Sequence, residues 1–302
     1  MVDFMEVVYK TYEPDKGYEK IQAEIYNNAV KKYNGQPVTA ESIAQRLKSF
    51  DPPQDTNGLF FAFTKDDKPL SYIQYRFYEK TKLYIGHAWA VEDCPKEVQQ
   101  EMYNKIFDYV TKKYPDNKEI YLGYVFDHFS DAVEMIKAQG FEHYNSITFY
   151  SVKLEDLTKL EADPKYSGRE ATMDDFETLI TLSLNSNVSS MGEITLRNYF
   201  KDKVLKDGNC VILFEGDKAI ASTAILEGFF DGKESLTRFV ALHNDHLDSY
   251  KSLLVYLAKY ALSKGLVLPI QTSVDDLAKR DSKFIVEIGT VKERESAYVK
   301  KL

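Results

Sequence analysis

Apolar and polar positions along the 302-residue chain fall into the same order of blocks twice. Leu59–Val91 reads LFFAFTKDDKPLSYIQYRFYEKTKLYIGHAWAV, and Asn209–Leu242 reads NCVILFEGDKAIASTAILEGFFDGKESLTRFVAL. Each stretch holds three apolar runs separated by polar turns. The first of these turns is Lys65-Asp66-Asp67-Lys68 in one copy and Glu215-Gly216-Asp217-Lys218 in the other. Apolar runs bounded by turn residues predict antiparallel strands, and each third run leads into an amphipathic helix. The copies start about 150 residues apart, the spacing of whole domains and not of a short solenoid repeat. Both halves also finish alike, Gly140-Phe141 running into Ser146–Leu154 and Gly289-Thr290 into Glu295–Leu302. The pattern predicts two divergent copies of one mixed α/β domain, at residues 1–154 and 169–302. The polar segment Glu155–Gly168, with Asp163-Pro164 and Ser167-Gly168, is expected to link them.

The remaining elements follow from the same periodicities. In the first half a short strand is expected over Glu6–Tyr12, then helices over Tyr18–Tyr33 and Ala40–Phe50. Thr39 is placed to cap the second helix, with Ser42 as an alternative, and Pro52-Pro53 and Asn57-Gly58 follow as loop. Strands are expected over Leu59–Thr64, Leu70–Tyr78 and Lys82–Val91. Pro95 is placed to open a helix reaching Lys113, with Val98, Met102, Ile106 and Val110 on one face. A buried strand Glu119–Phe126, a helix Ser130–Gln139 closed by Gly140, and a strand Ser146–Leu154 complete the half. The second half repeats the order: a strand near Arg169–Ala171, helices Asp174–Leu184 and Thr195–Leu205, three strands to Leu242, and a helix Asp248–Lys264. A strand Leu266–Thr272, a helix Asp275–Ile288 and a strand Arg294–Lys301 finish it.

Composition narrows the function by exclusion. Net charge is −8, which opposes nucleic-acid binding through a basic surface. No long uncharged apolar run predicts a membrane span, and Met1–Glu6 has no basic region before an apolar segment, so a cytoplasmic location is expected. Two cysteines, Cys94 and Cys210, lack the spacing of a zinc site or a disulfide framework. Cys210 opens an apolar strand and reads as a core residue. The 22 Tyr and 18 Phe favour aromatic cores and an aromatic-lined pocket.

Strand, two helices, three antiparallel strands, helix, strand, helix, strand is an element order that resembles the GNAT acyltransferase superfamily, in each half and over nearly the whole chain. Asp131-Ala-Val-Glu-Met-Ile-Lys-Ala-Gln-Gly-Phe141 is similar to that family's N-x-x-A-x-x-x-Y-x-x-x-G-F segment, matching at Ala132, Gly140 and Phe141. The resemblance implies acetyl-CoA held where the fourth and fifth strands splay, here Tyr84–Val91 beside Ile120–Phe126 and Leu236–Leu242 beside Leu266–Thr272. It also implies transfer of the acyl group to an amine. The open strand edge would hydrogen-bond the pantetheine arm through Ala90 and Val91.

The departures are specific. The family's Q/R-x-x-G-x-G/A phosphate loop is missing: no Gly occurs between His87 and Leu122, nor between Lys233 and Lys264. Acidic Glu92, Asp93 and Glu97 crowd the position in the first copy and would repel a phosphate. Lys96, Gln99 and Gln100 partly compensate. The family's proton-donating Tyr is replaced by Ile136 and Ile285, and its asparagine position holds Phe129. Candidate groups for proton transfer are Glu92 at the end of the fourth strand, His87 within it as a partly exposed residue beside Trp89, and Tyr124 on the fifth strand. Asp93 is an alternative cap for the following helix, and His128 is near the expected pocket. Cys94 and the His243, Asp245, His246 cluster carry only weak signals for a nucleophile or a metal, so no metal is expected.

The reading is a tandem GNAT-like N-acetyltransferase with a degenerate phosphate loop and weak acetyl-CoA binding. Its cleft is expected in the first copy, with Ala90, Val91, Lys96, Gln99, Gln100 and Phe129 on the cofactor and a small-molecule or peptide amine as acceptor. No nucleic-acid or membrane partner is expected. The alternative is a catalytically inactive binding module for another ligand or a protein partner. An aminoacyl-tRNA donor, as in some relatives, is disfavoured by the acidic charge.

Overall fold

The computed structural model describes residues 6–49, 55–79, 82–186, 193–206, 210–230, 233–242, 244–277 and 282–302. Phe50, Pro52-Pro53, Asn209, His243 and Asp281 lie outside them. The chain packs as two compact units, Met1–Ser146 with Arg294–Leu302 and Ile147–Glu293.

Unit 1 begins with β1 (Val7–Thr11), α1 (Tyr18–Lys31) and α2 (Ala40–Ser49). Thr39 Oγ1 accepts the Ser42 N–H and Ser42 Oγ accepts the Thr39 N–H, so the cap expected at Thr39 forms. A meander follows: β2 (Leu59–Thr64), β3 (Pro69–Glu79), β4 (Lys82–Ile85) and the two-residue β5 (Trp89–Ala90). Then come α3 (Lys96–Lys113), β6 (Glu119–Phe126), α4 (Ser130–Ala138) and β7 (Glu142–Val152). β1, β2, β3 and β4 pair antiparallel in sequence order, and β4 pairs parallel with β6. Residues 295–301 close this sheet by running antiparallel to β6. Met102, Ile106 and Val110 of α3 are fully buried on the sheet, worth about 1.5–3 kcal/mol each in transfer free energy. Gly140 ends α4 with φ +77°, and Phe141 turns back to pack near Tyr103 and Phe107.

Unit 2 continues with α5 (Leu154–Thr158), β8 (Tyr166–Glu170), α6 (Phe176–Leu184) and α7 (Glu193–Tyr199), which widens into a π-helical turn over Phe200–Val204. It ends with β9 (Cys210–Glu215), β10 (Lys218–Phe230), β11 (Lys233–Leu242), α8 (Tyr250–Ser263), β12 (Ile270–Asp275), α9 (Lys283–Ile288) and β13 (Thr290–Lys301). β8, β9, β10 and β11 pair antiparallel and β11 pairs parallel with β12, the same order as in unit 1. Residues 147–152 of β7 close this sheet against β12.

Several expectations shift. Glu155–Gly168, expected as a linker, carries most of α5 and the start of β8, because Leu154 and Leu157 are fully buried. The chain passes between the units within β7 and β13 instead. Pro269 has no N–H to give a ladder, so the strand expected from Leu266 starts at Ile270. The strand expected over Lys82–Val91 breaks at Gly86–Ala88, where Gly86 N–H turns to Gln74 O and Trp89 N–H to His87 O. No helix among the described residues is long and apolar enough to cross a membrane.

Candidate functional site

The break after β4 opens the sheet. β4 and β6 pair only through Leu83–Ile85 and Ile120–Leu122, and β5 turns to β3. Val91 N–H bonds Leu70 O, so Ser71 and Ala90 form the non-bonded pair of this ladder. Alternation in an antiparallel ladder then directs the Ala90 N–H and C=O away from β3, toward the open side. The other groups nearby are engaged: Ala88 O accepts from Gln99 Nε2 at 2.9 Å and Trp89 O from Ser71 Oγ at 2.8 Å.

A cleft of about 780 Å³ lies on this side, walled by α1 (Asn28, Lys31, Lys32), by His87–Glu92, by the start of α3 (Lys96, Gln99) and by α4 (Asp131, Met135). Lys32 pairs with Asp131 across its mouth, and the Asp131 N–H donates to Tyr33 Oη at 3.1 Å. The turn from β5 to α3 contains no glycine, and two of its N–H groups are already used. Glu92 N–H donates to Asn28 Oδ1 and Cys94 N–H to Val91 O. Pro95 sits at the N-cap with ψ 139°, not inside the helix, and no side chain caps α3, so Asp93 does not. The exposed first turn of α3 carries Lys96 and Glu97.

A second, smaller cavity of about 150 Å³ lies in the same unit, lined by Gln22, Tyr26, Arg46, Tyr72, Gln74, Arg76, Trp89, Tyr124, Phe129 and Glu295 among others. Trp89 belongs to the walls of both spaces, with Phe129 edge-on to it at 5.9 Å.

No protein-family model matches the sequence, and neither does any curated protein. Solved structures do match by shape. A GCN5-related N-acetyltransferase from Sphaerobacter thermophilus superposes with TM-score 0.62 at 12% identity, covering 98% of this chain and 95% of that one. A tandem GNAT protein from the clavulanic acid biosynthesis pathway gives TM-score 0.61 at 10% identity, covering 98% of both chains. A GCN5-related glucosamine N-acetyltransferase region of a fungal multi-domain β-N-acetylglucosaminidase gives 0.64 at 10% identity, over 98% of this chain and 38% of that one. The chain has the GNAT fold.

In the GNAT fold as this chain builds it, the expected site residues divide. His87, Ala90, Val91, Glu92, Lys96 and Gln99 come together around the larger cleft. Tyr124 and Phe129 face the smaller cavity. Gln100 joins neither; its amide exchanges hydrogen bonds with Gln139 at 2.6 and 2.8 Å. Phe129, only 2% exposed, stacks on Tyr33. Tyr124 Oη accepts from Asn145 Nδ2 at 2.7 Å. His87 is buried, not partly exposed, because the strand break folds it inward against Tyr103 Oη at 2.8 Å and edge-on to Trp89. Burial pulls its pKa down to about 3, so the ring is neutral and weakly basic. Ile136 and Ile285, at the GNAT proton-donor position, are fully buried. Burial pushes the Cys94 thiol up to about 12, which removes thiolate reactivity. His128 packs on Phe126 and Phe129. His246 faces Glu215 at 3.7 Å, while His243, the other histidine of that cluster, lies outside the described residues.

Sequence reasoning missed the α1 wall (Asn28, Lys31, Lys32, Tyr33) and the half-buried Arg76. The lysine pair at the end of an amphipathic helix carries no signal that separates it from solvated charge. Arg76 was legible only as a cation within the aromatic-rich strand Tyr72–Tyr78.

Proposed function

We propose that unit 1 is an N-acyltransferase that takes its acyl group from an acyl-CoA in the larger cleft and its amine from the smaller cavity. One observation carries this reading: the strand break that directs the Ala90 N–H and C=O away from β3, beside a cleft of about 780 Å³. An extended amide-bearing arm can add to that edge as a strand would. Lys31, Lys32 and Lys96 supply positive charge for a phosphate end, offset by Glu92, Asp131 and Glu134. With no glycine in the turn and two of its N–H groups engaged, the phosphate hold is weak.

Acyl-CoA, when bound, supplies an activated thioester. The amine nitrogen bonds to the carbonyl carbon, the carbon–sulfur bond breaks, and an amine proton ends on the released thiol. This chain's residues orient the partners and exclude water: Trp89 and Phe129 form an apolar partition, and the buried neutral His87 fixes the Trp89 edge. With isoleucine at both donor positions, solvent at the cleft mouth carries the proton to sulfur.

Acetyl-CoA titrated calorimetrically into the full chain should bind in the range of tens of micromolar or weaker, and thiol release should appear with a suitable amine. Micromolar or tighter binding would show that a glycine cradle is dispensable here. Neither binding at millimolar acetyl-CoA nor thiol release would leave the non-catalytic binding module as the reading that survives.

A further inference from the structure

Arg76, half-buried, lines the smaller cavity beside the backbone of Gly86 and Gly123. A Cβ on Gly123 would stand 3.0 Å from its Nη1, and one on Gly86 would stand 3.6 Å from its Nε. The Nε is buried and has no hydrogen-bond partner. No ion pair to Arg76 is found among the described residues. Among the described residues Glu295 is the one carboxylate in the lining, and it acts on the guanidinium as a more distant charge. A shielded guanidinium N–H without an acceptor is costly, so such a group is ordinarily matched by something. Gln22 is 5% exposed, and its Oε1 in the same wall is a second polar atom without a partner, an acceptor for an N–H. Tyr26, Tyr72 and Gln74 complete the interior, and exposed Arg46 and Tyr124 stand at the mouth. The volume of about 150 Å³ suits a guest of a few heavy atoms, on the order of five waters' worth.

We infer that the Arg76 cavity receives a carboxylate, so that the acyl acceptor is a small amine that also carries an acid group. This rests on the acyltransferase reading for the word acceptor, but the carboxylate pocket itself does not. A planar carboxylate matches the guanidinium fork, taking the orphaned Nε–H as one of its hydrogen bonds. Trp89, which lines both spaces, marks the side on which the amine would meet the acyl group. Peptides and bulky amines would be excluded by size, and simple alkylamines would leave the guanidinium unmatched.

The test uses the full chain without any acyl donor. Calorimetric titration with 3-aminopropanoate should saturate, while propylamine and 3-aminopropanamide, which lack the negative charge, should bind at least about tenfold more weakly. The R76Q variant should lose at least about tenfold in affinity for 3-aminopropanoate, and R76K should recover part of it. Should R76Q fail to fold, G123A replaces it, since the added methyl presses on Nη1 without requiring a strained backbone. Equal binding of the three amines, or unchanged affinity in a folded R76Q or in G123A, overturns the carboxylate pocket. Binding that discriminates for the acid, with no thiol release from acetyl-CoA, keeps the pocket and overturns the acyltransferase reading instead.

Discussion

α3 in unit 1 and α8 in unit 2 each begin just after the last strand of a three-stranded meander, yet their first turns have opposite surroundings. In α3 the first turn is open: Lys96 and Glu97 are exposed, and Gln99 reaches the strand end through Ala88 O. In α8 it is filled by protein. Ser249, Tyr250, Ser252 and Leu253 are all at most 1% exposed. Their polar atoms are used internally: Ser249 Oγ donates to His246 O, Ser252 Oγ accepts the Asp163 N–H, and Tyr250 Oη meets Thr272 Oγ1. A helix start can hold an anion only where its N–H groups face open space. The same position in one fold is thus a candidate ligand site in one unit and part of the core in the other, and the difference lies in side-chain size and polarity, not in topology.

The sharpest way to break this comparison is a charge in α8. S252E would bury a carboxylate with no partner and should lower unfolding stability by about 3–5 kcal/mol, read by urea denaturation. A loss below about 1 kcal/mol would mean that the α8 start is as open as that of α3. Next in size is an acid effect in unit 1. The folded-state pKa of His87, about 3, lies below the ordinary unfolded value. The unfolded chain therefore takes up a proton first as pH falls, and the stability contribution, full above about pH 6.5, is lost on the way down toward pH 3. Between pH 7 and 5 this amounts to roughly 2 kcal/mol. The slope should flatten in H87Q, and an unchanged slope would mean that His87 is hydrated.

Smaller still, Q99E removes the donor to Ala88 O at a cost of about 1 kcal/mol and adds a negative charge at the cleft. Acetyl-CoA affinity should fall about tenfold in calorimetry, and a retained affinity would move the phosphate end elsewhere. The mildest change is K32A, which breaks an exposed pair with Asp131 and should shift thermal stability by less than about 0.5 kcal/mol. A larger shift would show that the cleft mouth is structurally braced.

Most of the architecture was legible because it follows short periodicities. The four-residue steps of Val98, Met102, Ile106 and Val110, the helix end at Gly140 and the twin meanders all form as the patterns imply. What stayed hidden depends on long-range partners. The break at Gly86–Ala88 could not be read from an apolar run that looks continuous, since it is set by Gln74 O across the sheet. Gln99 and Gln100 look equivalent in sequence, but one step of helix rotation sends the first to the cleft and the second to Gln139. His87 reads as a partly exposed residue because a polar side chain in a strand usually alternates outward.

The closing strands carry a consequence for biogenesis. β6 is finished by residue 126, but its outer neighbour, residues 295–301, is synthesised about 170 residues later. Glu295, in the wall of the Arg76 cavity, arrives with that stretch. At about 5–20 residues per second, the sheet of unit 1 waits on the order of ten seconds or more with one edge unsatisfied. Such an edge is a template for other chains, so nascent protein is exposed to mispairing until that stretch emerges. Deleting residues 295–301 would leave the edge open indefinitely.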